Sequence, residues 1–154
     1  MTMTKCLFCY TEISSDELKT RAGGQGFHEK CSRKFFGKSE PPILDYSQDD
    51  MPELAKKVVK SQRTVTGVQP KLLLGLDHES KKPKKLIAVG LWGEYILKPQ
   101  TELYQNLPEN EDVTMHLAEI SKIATVQHTL IRLKSGQLAY LTKRIDRNRE
   151  EKRH

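Results

Sequence analysis

The sequence predicts an α+β fold in which an antiparallel sheet with packed helices follows a small module containing cysteine and histidine. Three observations support this prediction. Cysteine and histidine occur in two close pairs near the amino terminus, short apolar runs separated by turns follow later, and two stretches have the periodicity of amphipathic helices. At 154 residues, the chain is long enough for one average domain with a small appended module.

We expect four segments along the chain. The Cys/His module occupies residues 1–38, a linker and a helix follow in residues 39–62, the sheet domain lies in residues 63–147, and residues 148–154 are a charged tail. The first boundary is indicated by Pro41 and Pro42, because adjacent prolines break regular structure and stiffen a linker.

Composition excludes several classes of protein. Charged residues make up 30% and hydrophobic residues 36% of the chain, values typical of an ordered body rather than of a disordered chain. No stretch approaches the ~20 apolar residues of a membrane span, and the amino terminus does not resemble a signal peptide. We therefore expect a cytoplasmic protein without a membrane partner. Three cysteines in a reducing compartment favour metal binding, catalysis or packing over disulfides.

The net charge of +6 is concentrated in two places. Residues 79–85 contain four lysines and one glutamate, and residues 143–153 contain six basic and three acidic residues, so each stretch contributes +3. The rest of the chain is neutral and lacks the basic stripe of a duplex-binding surface. Direct nucleic-acid binding is therefore not expected.

Two pairs of metal-ligand residues occur in the amino-terminal module. Cys6 and Cys9 form a C-x2-C pair, and His28 and Cys31 form an H-x2-C pair. This spacing suits a closed Cys3His zinc site. Such a site would be structural, because about 35 residues cannot build a stable core alone. A redox C-x2-C motif and a set of buried thiols are the alternatives, although the redox motif requires a strand before it and a helix directly after it.

An amphipathic helix is predicted after the linker, with Ser47 or Asp49 as its cap. Its apolar residues recur at helical spacing and should face the sheet. They are Met51, Leu54, Ala55, Val58 and Val59.

The sheet domain is predicted from short apolar runs. Runs at residues 71–76 and 86–92 flank a polar turn and indicate a hairpin, and a third strand ends at Lys98 before Pro99. Asn110 is expected to cap a second helix. The apolar residues that this helix should bury are Val113, Leu117, Ala118 and Ile120. Two further strands are expected at residues 129–133 and 138–145.

This order of elements, with a loop, strands, a lysine-bearing strand, an acidic helix and two more strands, is that of the small lobe of a protein kinase. There, the strand lysine holds the ATP phosphates and pairs with a helix glutamate. Lys98 is the candidate lysine and Glu111 the first candidate partner, with Glu119 as the alternative. A strand-end lysine that reaches to water, and solvated helix glutamates, are the simpler explanations.

Four motifs then occur in the order found in HipA-type toxin kinases. They are TVTGVQPK at residues 64–71, YILKP at 95–99, an NE pair followed by LAE within 110–119, and TKRIDR at 142–147. The chain resembles this family from its first cysteines to residue 147, and especially the variant with an amino-terminal Cys/His segment. The resemblance implies a serine/threonine kinase of a bacterial type II toxin–antitoxin system. Such a kinase uses ATP and Mg²⁺, phosphorylates an aminoacyl-tRNA synthetase, and is restrained by an antitoxin of the HipB or HipS type.

The resemblance also implies roles for individual residues. Thr64 and Thr66 match phosphorylated positions in a flexible phosphate-binding loop, Lys98 matches the phosphate-binding lysine, and Glu111 matches its helix partner. The other ATP-site residues implied are Gly67, Val68 and Gln69 in the loop, and Lys143, Arg144 and Ile145 in a strand whose main chain meets adenine.

Two features depart from the family pattern. Residue 64 is threonine where the family has serine, and the 154 residues contain neither an H-x-D-x4-N catalytic loop nor a D-F-G motif. We therefore assign no catalytic residue in this chain. We expect the small lobe of such a kinase, seen as a fragment or as one piece of a split or truncated gene, which binds ATP weakly but transfers no phosphate alone. The alternatives are a free-standing zinc-knuckle module that binds a kinase or an antitoxin, and a small zinc protein that binds nucleic acid.

Overall fold

Six strands and four helices are formed by the residues that the computed structural model describes, which are 4–59, 70–79, 81, 84–89 and 92–146. The helices are α1 (Arg21–Gly24), α2 (Glu29–Phe36), α3 (Met51–Val59) and α4 (Leu107–Ile120). The strands are β1 (Ile43–Leu44), β2 (Leu72–Leu76), β3 (Lys85–Ala88), β4 (Tyr95–Pro99), β5 (His128–Arg132) and β6 (Leu138–Lys143). Short 3₁₀ helices lie at Glu17–Lys19 and Gln48–Asp50.

The strands form one sheet in the order β1-β3-β2-β4-β6-β5. The predicted hairpin is present as β2 and β3, and the α+β class is confirmed. The expectation of an antiparallel sheet is wrong at one edge, where β1 runs parallel to β3. Directly after Pro41 and Pro42, the Ile43 N–H donates to Lys84 O at 2.8 Å, next to this parallel pairing.

The predicted first helix is present as α3. Ser47 precedes the short 3₁₀ helix, and both its backbone N–H and its hydroxyl donate to Asp50 Oδ2, at 2.7 and 2.8 Å. Met51 is buried, as predicted, and Leu54 is partly buried. The side chains of Ala55, Val58 and Val59 lie outside the described part of the chain.

The second predicted helix starts earlier than expected. α4 begins at Leu107, so Asn110 is an interior residue and the expectation that it caps the helix is wrong. Asn106 directly before the helix has a left-handed backbone with φ of 55°. Gln100 Oε1 accepts the Leu107 N–H at 3.1 Å, and Pro108 fits because the first turn of a helix needs no backbone donor.

The buried face of α4 is polar, and the prediction that its apolar residues are buried is wrong. Val113, Leu117 and Ile120 are 45%, 58% and 77% exposed, and Ala118 is only partly buried, whereas Asp112 is fully buried. Asp112 can face the sheet because Tyr10 and His128 form hydrogen bonds with its carboxylate there. The spacing of apolar residues indicates a stripe, but it does not show which side of the helix meets the sheet.

One face of the sheet packs on the amino-terminal Cys/His segment, which comprises residues 4–38 of the described chain. Leu97 of β4 lies opposite Leu141 of β6, and both are fully buried. The rings of Phe35 and Phe36 pack on Tyr95, with centroid distances of 6.0 and 6.2 Å. Residues of the amino-terminal segment and of the sheet therefore belong to one continuous hydrophobic core.

The free edge of β5 is covered by the same segment. Leu7 O accepts hydrogen bonds from the Leu130 N–H at 3.3 Å and from Thr129 Oγ1 at 3.1 Å. These contacts satisfy part of an edge that would otherwise present unpaired backbone groups. In the described part of the chain, no helix has the length and apolar character needed to cross a membrane.

Candidate functional site

Cys6, Cys9, His28 and Cys31 form one compact group, as their spacing predicts. Their ligand atoms all lie within 4.8 Å of one another. His28 directly precedes α2 and Cys31 lies in its first turn, so the start of this helix supplies two of the four ligand atoms. His28 Nδ1 lies 3.5 Å from Cys9 Sγ and 3.7 Å from Cys31 Sγ.

The surroundings of this group suit a bound metal. His28 Nε2 lies 3.0 Å from Glu12 O, which leaves Nδ1 to face the sulfurs. Burial alone would raise the pKa of the Cys9 thiol, but hydrogen bonds with Thr11 and the neighbouring cysteines outweigh it and lower the pKa to about 6. Burial raises the pKa of Cys31 to about 12, together with charge repulsion from Cys6 and Cys9 and hydrogen bonds with them. A divalent cation would relieve this repulsion, and three thiolates with one imidazole form a donor set compatible with zinc.

Lys98 and Glu111 are brought together from a strand and a helix. Lys98 Nζ donates to Glu111 Oε1, and the two side chains are 22% and 26% exposed. Lys98 also lies opposite Tyr140 of β6, with Nζ 5.4 Å from the ring centroid. Glu119, the alternative partner, instead lies beside His128 and Thr125. The ammonium group is thus held at one position while still reaching solvent.

The other residues predicted for the ATP site do not lie next to Lys98 and Glu111 or are outside the described residues. Lys143 Nζ lies 5.3 Å from the Phe35 ring centroid. Lys143 of β6 lies opposite Tyr95 of β4, and residues 95 and 98 of β4 point to opposite faces of the sheet. Lys143 and Lys98 are therefore on opposite faces. Arg144 pairs with Asp146, and Ile145 is 78% exposed. The loop residues predicted for phosphate binding or phosphorylation are outside the described residues. They are Thr64, Thr66, Gly67, Val68 and Gln69.

A second polar cluster lies on the α4 side of the sheet, and the sequence did not predict it. His128 Nδ1 lies 2.6 Å from Asp112 Oδ1, and His128 Nε2 lies 3.2 Å from Glu119 Oε1. Tyr10 donates its hydroxyl to Asp112 Oδ2, and its ring packs on His116 with a centroid distance of 4.5 Å. The i, i+4 spacing of Asp112 and His116 is visible in the sequence, but nothing there connects them with Tyr10.

The carboxylates in this cluster favour the protonated forms of His128 and Tyr10. Burial opposes protonation of His128, but the hydrogen bond with Asp112 and the charges of Asp112 and Glu119 outweigh it and raise the pKa of His128. Burial and the contact with Asp112 raise the pKa of Tyr10, so its hydroxyl stays protonated and donates. Ligand atoms of Asp112, His116 and His128 also lie within 4.8 Å of one another. The 2.6 Å contact, however, is a direct hydrogen bond.

Comparison with known proteins identifies the family. Residues 63–154, more than half of the chain, match the family model described as the HipA-like C-terminal domain. A protein of Haemophilus influenzae named "Putative kinase" is 27% identical over 155 residues, which cover 97% of this chain and 42% of that protein. The chain therefore spans about two fifths of the length of this relative. Because this family model covers more than half of the chain, the chain belongs to the HipA-like kinase family.

Proposed function

We propose that this chain supplies the part of a HipA-like kinase that binds the phosphates of ATP, with Lys98 as the main cationic contact. The observation that carries the proposal is the ion pair between Lys98 on β4 and Glu111 on α4. In protein kinases, a strand lysine pairs with a glutamate of the following helix and holds the phosphates. The order of elements around Lys98 supports the same assignment to a kinase small lobe.

The geometry gives each residue a physical task. Glu111 keeps the long Lys98 side chain from folding back along the sheet, so less side-chain entropy is lost when phosphate binds. Tyr140 limits the movement of Lys98 on the strand side. Because both charges remain about a quarter exposed, an anionic oxygen can reach Nζ without breaking a buried ion pair.

The Cys3His group would bind a structural zinc ion. All four ligands come from the protein, so no coordination position is left for a substrate. Zinc would fix the C-x2-C turn to the start of α2, and this would stabilise the packing of Phe35 and Phe36 on Tyr95.

The activity of the longer kinase is a further proposal, which rests on family resemblance. It comprises Mg²⁺-dependent serine/threonine phosphorylation, with an aminoacyl-tRNA synthetase as target and an antitoxin of the HipB or HipS type as partner. Phosphorylation of Thr64 or Thr66 would add negative charge to the phosphate-binding loop and repel the nucleotide.

Calorimetric titration with ATP tests the proposed phosphate site. The wild-type chain should bind ATP weakly, and Lys98→Met should weaken binding by about tenfold or more, because a charged hydrogen bond to phosphate is lost. Lys19→Met, at an exposed lysine paired with Asp16, is the matched control and should leave binding unchanged. Equal binding by the wild type and Lys98→Met would contradict the proposal.

A further inference from the structure

We infer that the amino-terminal Cys/His segment positions α4, and with it Glu111, through the hydrogen bond from Tyr10 to Asp112. The segment contacts both β4, which carries Lys98, and α4, which carries Glu111. It therefore sets the distance between this strand and this helix. Tyr10 and Asp112 are positioning residues, since they act on the proposed phosphate site through Glu111. The inference rests on the proposed role of Lys98 and Glu111 in phosphate binding.

The position of Tyr10 is set by the C-x2-C turn. Tyr10 directly follows Cys9, and its backbone N–H donates to Cys6 O at 2.9 Å. Its φ of 62° lies in the left-handed region, which is uncommon for a residue other than glycine. Such a conformation persists only where surrounding contacts impose it. Here the turn that brings Cys6 and Cys9 together also directs the Tyr10 side chain towards α4.

Asp112 receives this contact at a fully buried position. One carboxylate oxygen accepts from Tyr10, and the other lies 2.6 Å from His128 Nδ1 on β5. A buried carboxylate that loses a partner is strongly disfavoured, so Asp112 is confined to this site. Since Glu111 is the adjacent residue, the backbone that carries it is confined as well.

The segment is also fixed to the sheet by contacts that do not involve the Tyr10 side chain. Phe35 packs on Tyr95, three residues before Lys98 on β4, and Leu7 is hydrogen-bonded to Thr129 and Leu130 of β5. The outer face of α4 is exposed along its length. Among the described residues, α4 is therefore held from its sheet side, where Tyr10 supplies one of the contacts.

Hydrogen–deuterium exchange on the full chain tests this inference, with Tyr10→Phe as the main variant because it removes only the hydroxyl. We expect amides of α4 to exchange about tenfold faster in Tyr10→Phe, while β2 and β3 stay unchanged. Tyr104→Phe, at a tyrosine that is 54% exposed, is the matched control. Asp112→Asn is a second variant and should affect the same amides.

A second readout on the same samples is ATP affinity, which should fall in Tyr10→Phe and not in Tyr104→Phe. Faster exchange spread evenly over α4, β2 and β3 would mean a general stability contact and would overturn the inference, as would unchanged α4 exchange. If the wild type binds no ATP, the proposed function fails, whereas a local change in α4 exchange still tests the positioning contact. Binding of a second metal equivalent at Asp112 and His128 would also overturn it.

Discussion

Glu111 and Asp112 are neighbours on α4, yet their carboxylates serve different partners. Glu111 accepts from Lys98 of β4, whereas Asp112 lies between Tyr10 and His128. Adjacent residues are about 100° apart around a helix, which allows this division. The helix thus joins the proposed phosphate site to the amino-terminal segment through two consecutive side chains.

Zinc content should depend on His28. The wild-type chain should bind one zinc ion per molecule, whereas His28→Asn and Cys9→Ser should bind far less, because each removes one of four ligands. His78→Asn is the matched control, since His78 is an exposed residue after β2. Elemental analysis of purified protein measures the ratio, and a wild-type value far below one ion per chain would refute the site. Chelation should also lower the unfolding temperature.

Glu111→Gln should affect ATP binding more than stability. The ion pair with Lys98 is partly exposed, so its loss should change the free energy of unfolding by only about 1 kcal/mol. ATP affinity should fall several-fold, because Lys98 is no longer held in place. Urea unfolding and calorimetry on the same sample give the two values. A large loss of stability with unchanged affinity would show that the pair is structural.

Replacing a buried leucine and an exposed leucine by alanine should change stability by different amounts. Leu97 is fully buried in β4, so Leu97→Ala should destabilise the chain by about 2–5 kcal/mol. Leu117→Ala removes the same atoms from a side chain that is 58% exposed and should change stability by about 0.5 kcal/mol or less. Denaturant midpoints measure both effects. Similar losses at the two positions would contradict the orientation of α4.

The contribution of His128 to stability should depend on pH. Its folded-state pKa is raised, in spite of burial, by Asp112 and Glu119, whereas the unfolded value is about 6.5. This contribution is therefore fully present below about pH 6.5 and is lost as pH rises through the folded-state pKa. NMR titration of the His128 ring in the folded and urea-unfolded chain measures the two pKa values. A folded-state value below the unfolded one would contradict the hydrogen bond with Asp112.

Local patterns predicted much of this structure from the sequence. The hairpin of β2 and β3, the strand ending near Lys98 and the Cys3His grouping each depend on neighbouring residues or short spacings, and all three are present. The start of α4 is not predicted correctly by such a pattern, because Asn110 resembles a cap. In the structure, Gln100 accepts the Leu107 N–H and Asn106 has a left-handed backbone.

Contacts between distant residues were not predictable in the same way. Tyr10 and Asp112 are 102 positions apart, and no local pattern shows that they meet. The apolar residues of α4 suggested a buried stripe, but the helix buries Asp112 because Tyr10 and His128 satisfy its carboxylate. The parallel pairing of β1 also depends on where the chain travels after Pro42.

The most direct test of the proposed phosphate site is the ¹⁵N signal of the Lys98 side chain during titration with ATP. We expect this signal to shift in a saturable manner with ATP and far less with adenosine, because the phosphates are the groups that contact Nζ. Glu111→Gln should require more ATP for the same shift. A Lys98 signal that stays unchanged at saturating ATP, whether or not the nucleotide binds elsewhere on the chain, would show that Lys98 is not the phosphate contact.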